Sequence, residues 1–193
     1  MGGHPRPETK GLRPEVRSQE PEGRETPSPK PEGRETRSPK PEAYVSALTM
    51  LAVRELSEAQ VRQRLARREY EADDIDLAIE RLKAERALDD ARTAGAIARR
   101  ETAFRKRGKL RVQLALSRAG IDRTVARRAI DETFGQLEPG TLIEAALDKR
   151  LRGRKRVNDQ AEYARLYRYL AGQGFDSDEI RRALDARRRG GTE

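Results

Sequence analysis

Val112-Gln113-Leu114-Ala115-Leu116-Ser117-Arg118-Ala119-Gly120-Ile121, continued by a helical run through Ile130, decides the fold. Val112 and Leu116 are four apart and so share one helix face; Ile121 comes after a break, and Ala126 and Ile130 are again four apart. The same template recurs upstream at Val61, Leu65, Tyr70, Ile75 and Ile79, and downstream at Leu166, Leu170, Phe175, Ile180 and Leu184. Its copies lie 51 and 54 residues apart, just beyond the usual period of stacked supersecondary units. Each copy reads as helix, turn, helix. Gly120 and Gly174 stand where the first of these helices should end, because glycine closes a helix in the left-handed conformation without a Cβ penalty. Glu69 replaces glycine in the first copy, so that turn is expected to be looser or differently built.

Working outward, each copy gains a preceding helix. Tyr44, Leu48, Leu51 and Ala52 form the first such stripe, and Ser57-Glu58-Ala59-Gln60 reads as a capping box for the next helix. Asp73 or Asp74 is expected to cap the third helix, which carries Ile75, Ile79 and Leu82. In the second unit, Asp90 is expected to cap a helix from Ala91 to Arg107 with Ile97 and Phe104 on one face, Gly108 interrupts it, and Asp122 caps the last helix. The turn Glu138-Pro139-Gly140-Thr141 leads to Ile143, Leu147 and Leu151, and Asp159 to Glu162 reads as a second capping box. A middle helix longer by about one turn accounts for the wider second spacing. The expected fold is all-α: three tandem three-helix repeats in an elongated, curved array, at 43–90, 91–140 and 141–189, behind a disordered N-terminal tail.

That tail, residues 1–42, holds nine of the ten prolines and an imperfect ten-residue repeat in which Pro-Glu-Gly-Arg-Glu-Thr occurs twice. Little apolar surface is available there to offset chain entropy. It reads as a tolerated extension or as a flexible tether, with Ser28 and Ser38 before prolines as modification sites. Nine basic residues oppose eight acidic ones in the tail, so +8 of the net charge of +9 belongs to residues 43–193. An acidic partner is expected.

With no cysteine and a single histidine, His4, in the tail, the chain lacks the means for thiol catalysis, a serine triad or a zinc site in its repeats. Gly108-Lys109 lacks the remainder of a phosphate-binding loop, and Asp89-Asp90 reads as a cap. Neither an enzyme nor a cofactor is expected. No apolar run spans a bilayer and no hydrophobic leader opens the chain, so a cytoplasmic monomer that does not meet the membrane is expected.

The basic residues carry the remaining signal. Arg99, Arg100, Arg105, Lys106, Arg107, Lys109 and Arg111 cluster in the second unit, and Lys149, Arg150, Arg152, Arg154, Lys155 and Arg156 in the third. Both clusters fall at the junction of a unit's first and middle helices, where stacked units place them along one edge; each residue taken singly also reads as part of a solvated face. Tyr163, Tyr167 and Tyr169, interleaved with Arg165 and Arg168, read either as core flanks or as platforms for unpaired bases.

Arg54-Glu55-Leu56-Ser57, Leu88-Asp89-Asp90, Arg107-Gly108-Lys109-Leu110-Arg111-Val112 with Leu116 and Gly120-Ile121, Ala146-Leu147-Asp148-Lys149, and Tyr169-Leu170 with Gly174-Phe175 and Ile180 together resemble the bacterial RecX family over about residues 43–188. Glu69, in place of the family's glycine, and Thr93, in place of an aromatic, depart from its pattern. The resemblance implies a non-catalytic negative regulator of RecA. Such a regulator binds the RecA–single-stranded-DNA filament and inhibits ATP hydrolysis, strand exchange and coprotease activity, thereby modulating recombination, repair and the SOS response. Arg107, Lys109, Arg111, Lys149, Arg150, Arg165 and Arg168 are the expected contacts with filament or DNA. The alternatives are a direct helical DNA-binding protein and an adaptor working through its tail.

Overall fold

The computed structural model describes residues 41–189 except Gly153 and Lys155, and no side-chain position for Pro41. The expected disordered tail therefore lies outside the described residues up to Lys40, as does Lys155 of the third unit's basic cluster. Among the described residues the protein is all-helical, with nine α-helices in three tandem three-helix repeats: α1 (Pro41–Val53), α2 (Glu58–Ala66) and α3 (Ala72–Ala84); α4 (Asp90–Arg99), α5 (Lys109–Arg118) and α6 (Arg123–Gly135); α7 (Thr141–Leu151), α8 (Gln160–Gln173) and α9 (Ser177–Arg189).

The recurring template is the core of each repeat. Of its fifteen positions, only Tyr70 and Ile130 are not fully buried. The second repeat has the leanest core, built on Ala94, Ala98, Ala119, Ala126 and Ala129. These small side chains let α4 and α6 approach closely. The third is filled by Ile143, Leu147, Leu151, Leu166, Leu170, Phe175, Ile180 and Leu184.

Several local devices match their sequence signals. The Ser57 hydroxyl accepts from the Gln60 amide at 3.2 Å while the Gln60 side chain accepts from the Ser57 amide at 3.3 Å, completing the capping box. Asp122 accepts from the Thr124 amide at 2.8 Å, and those backbone bonds hold its carboxyl below the usual range. α8 is longer than α2 and α5 by about one turn.

Others differ. Neither Asp73 nor Asp74 caps α3: the helix starts earlier, after Glu71, which makes no side-chain cap, and both acids fall in the first turn, where they suit the helix dipole. Asp89 rather than Asp90 caps α4, accepting from the Arg92 amide at 2.9 Å. Asp90 reaches back to accept from the Glu58 amide at 2.8 Å, capping α2 from another repeat, and burial raises its pKa. Asp159 caps α8 through the Glu162 amide at 2.7 Å, yet Glu162 returns to the Asn158 amide at 3.0 Å, so the reciprocal box is displaced by one residue. Thr93, in place of an aromatic, is buried and donates to the Leu56 carbonyl at 3.3 Å.

The expected helix from Ala91 to Arg107 gives way at Arg100 to a π-helical stretch, Arg100–Phe104. The inserted residue turns the rest of the segment about 100° around the axis. Phe104 therefore does not share a buried face with Ile97: Ile97 packs against the core, and Phe104 is 78% exposed.

Glu69 also departs from expectation. Its φ is +60°, against +70° at Gly120 and +86° at Gly174. The amide of each of these residues donates to the carbonyl three back, and the next amide, of Tyr70, Ile121 or Phe175, donates to Leu65, Leu116 or Leu170. The turn is the same in all three repeats, and only its residue differs.

The difference is explained by how the repeats meet. The Gly108 amide donates to the Gln173 carbonyl at 3.0 Å and the Leu110 amide to the Gly174 carbonyl at 3.2 Å, so the free donors at the start of α5 are satisfied by the end of α8. One junction earlier, the Ser57 hydroxyl at the start of α2 donates to the Ala119 carbonyl at the end of α5. Middle helices thus run nose to tail, with the positive end of one dipole on the negative end of the next. A Cβ on Gly120 would stand 2.5 Å from the Ala59 Cβ. Glu69 follows α2, the last helix in that line among the described residues, and is exposed.

Candidate functional site

At the root of each basic cluster lies a buried carboxylate. In the second repeat it is Glu101, on the π-helical stretch and 1% exposed. Arg105 donates to its Oε1 at 3.0 Å and Arg107 to its Oε2 at 2.5 Å, with the Arg100 guanidinium at 3.8 Å. In the third it is Glu162, which accepts from Arg154 at 2.8 Å and from the Asn158 backbone, the latter being the main reason its pKa is lowered. A buried carboxylate holding exposed arginines limits how far they wander while leaving net positive charge at the surface.

Each cluster also carries a cation in a strained backbone. Lys106 has φ +54° and Arg152 φ +51°, at matching points just after the first helical segment of their repeats. A side chain costs roughly 1–2 kcal/mol in that conformation.

The structure brings most of the sequence-predicted residues together at the junction of the second and third repeats. Arg165, Arg168 and Gly172 lie at i, i+3 and i+7 on α8 and so share a face. Arg111, from the start of α5, donates to the Gly172 carbonyl at 2.6 Å and so extends that line across the junction. Arg107, half-buried on Glu101, lies immediately before the Gly108 amide that meets Gln173. Arg150 of α7 stacks on Tyr169 with its guanidinium carbon 5.4 Å from the ring centre, next to Arg165 on the α8 surface.

Two residues stand apart. Lys149 is exposed on α7, and Lys109 places its ammonium 5.5 Å from the Phe134 ring. Lys109 also lines a groove of about 780 Å³ with Leu110, Phe134, Leu137 and Glu179. Burial raises the Glu179 pKa, and four carboxylates against two cations line this groove, so the basic track ends there. Tyr163, Tyr167 and Tyr169 all pack against the third core, which leaves them poor platforms for bases.

Sequence reasoning missed Glu101, the anchoring of Arg154 by Glu162, and the left-handed cation in each of the two clusters. The i, i+4 pair Glu101–Arg105 was the available signal for the first; nothing in the sequence marks Lys106 or Arg152. Among the described residues, no group of three or more acidic or histidine side chains is placed to hold a metal ion, and no helix is long and apolar enough to cross a membrane.

Comparison with known proteins agrees with this architecture. Residues 43–82 match the family description "RecX, first three-helix domain", and residues 141–184 match "RecX, third three-helix domain". The chain is 35% identical over 143 residues to a regulatory protein RecX of Acidithiobacillus ferrooxidans, covering 74% of this chain and 88% of that one. It is 30% identical over 146 residues to one of Chlorobium phaeobacteroides, covering 74% and 91%. The crystal structure of RecX from Lactobacillus salivarius has a similar fold, with a TM-score of 0.60 at 23% identity over 75% of this chain and 96% of that one.

Proposed function

Because the chain belongs to the RecX family of regulatory proteins, we propose that it is a negative regulator of RecA. It binds the RecA filament on single-stranded DNA and inhibits ATP hydrolysis, strand exchange and coprotease activity, and so modulates recombination, repair and the SOS response. The observation that carries this reading is the basic track across the second junction, from Arg165 and Arg168 through Arg111 to Arg107, with Arg150 alongside.

A line of cations along stacked repeats suits a repeating polyanion better than a small molecule. The protein acts as a cytoplasmic monomer, with Lys109 and Lys149 as outlying contacts. Arg111 has a second task, since it also closes the junction.

The test is RecA ATP hydrolysis on single-stranded DNA, titrated with this protein at physiological salt. Inhibition below one copy per RecA is expected, with the triple variant Lys149→Glu, Arg165→Glu, Arg168→Glu weakened at unchanged helical circular dichroism. No inhibition at saturation sinks the reading, and steep salt-dependent binding to naked duplex without preference for filament replaces it with direct DNA binding.

A further inference from the structure

Phe104 closes the π-helical stretch, and it is the register shift of that stretch that turns its ring outward. An exposed aromatic taken alone is ordinary. This one has Arg100 on its own stretch and Arg105 and Lys106 directly after it. Arg105 and Arg100 lean on buried Glu101, and Lys106 occupies the left-handed backbone that ends the segment. An exposed apolar face thus has cations before and after it in the chain. The Tyr163, Tyr167 and Tyr169 rings, by contrast, are packed against their core.

We propose that Phe104 is a stacking platform for an unpaired nucleobase of single-stranded nucleic acid, with Arg100, Arg105 and Lys106 meeting the phosphates on either side. This rests on the filament reading for its biological setting but names a site of its own. The chemistry fits: a base offers a π-face of any sequence to the ring, and its backbone offers one negative charge per nucleotide to the cations. A duplex keeps its bases stacked inside and has no such face to give.

The chain contains no tryptophan, so Phe104→Trp places a single indole reporter at the site. Full-length wild type, Phe104→Trp and Phe104→Ala are titrated with oligothymidylate and with a duplex of equal length, without RecA, and each is then assayed for inhibition of RecA ATP hydrolysis. The expected result is roughly tenfold weaker oligothymidylate binding by Phe104→Ala and wild-type binding by Phe104→Trp. The tryptophan emission should be quenched by oligothymidylate and not by duplex. Unchanged affinity in Phe104→Ala, or equal quenching by duplex, overturns the proposal. Lost RecA inhibition with intact oligothymidylate binding also overturns it, since the ring would then meet protein. If Phe104→Ala loses oligothymidylate binding while wild type leaves RecA unaffected, the base site stands and the RecA reading fails alone.

Discussion

Gly174 and Arg111 are pressed together so closely that a Cβ on the glycine would overlap the arginine's backbone nitrogen and stand 2.9 Å from its Cγ. The contact joins the end of α8 to the start of α5, where the Arg111 side chain also donates to the Gly172 carbonyl. Glycine is required here twice over, for its φ of +86° and for the space.

Gly174→Ala should therefore cost more than the left-handed conformation alone, about 2 kcal/mol or more. Glu69→Gly should instead stabilise the protein by about 0.5–1 kcal/mol, because the same turn is exposed there. Urea unfolding of the two variants checks both signs; a destabilised Glu69→Gly would contradict the equivalence of the three turns.

Lys106→Gly and Arg152→Gly should each raise stability by up to about 1 kcal/mol while weakening filament binding. Thermal unfolding and an affinity titration, made on the same samples, separate the two effects. A variant that gains stability and keeps full affinity shows that its cation has no part in binding.

Glu101→Gln should cost about 2 kcal/mol, since it removes the buried charge that two partly exposed arginines contact. The surviving protein should bind polyanions more weakly despite its higher net charge, because Arg105 and Arg107 lose their anchor. Tighter binding would show that charge alone, and not its placement, governs the interaction.

Glu162 sets an acid limit on the third repeat. Its folded pKa lies below its ordinary value of 4.5, so its contribution is fully present above that value and is lost as pH falls through the lower folded one. Asp90, raised by burial, works oppositely: the folded state holds its proton more tightly, and its penalty is relieved on acidification. Between about pH 5 and about pH 3, wild type should lose more stability than Glu162→Gln, as tracked by chemical unfolding. Parallel curves would remove Glu162 from the balance.

The repeat itself was legible because the template's positions repeat their chemistry: Val112 predicts Val61 and Leu166, and all three are buried. Gly120 and Gly174 announced their turns for the same reason. Glu69 misled because sequence reports what a residue prefers, and a turn held by two backbone bonds and a seated Tyr70 outweighs a preference of about 1 kcal/mol. Phe104 misled differently: a period of 3.6 was carried through a stretch whose backbone inserts a residue, and no side chain in Arg100–Phe104 marks the insertion. Long-range partners such as Asp90 with Glu58, or Arg111 with Gly172, were beyond reach, since each depends on how repeats meet.

The nose-to-tail order of the middle helices also has a direction in time. A ribosome releases α2 first, but the Glu58 amide waits for Asp90 and the Ser57 hydroxyl proton for the Ala119 carbonyl. The start of α5, with no side-chain cap of its own, relies on Gln173 and Gly174, which emerge some sixty residues later. Alone among the three, α8 draws its cap wholly from its own repeat, through Asp159 and Glu162. The two earlier junctions therefore close only after the repeat that follows each of them has left the ribosome.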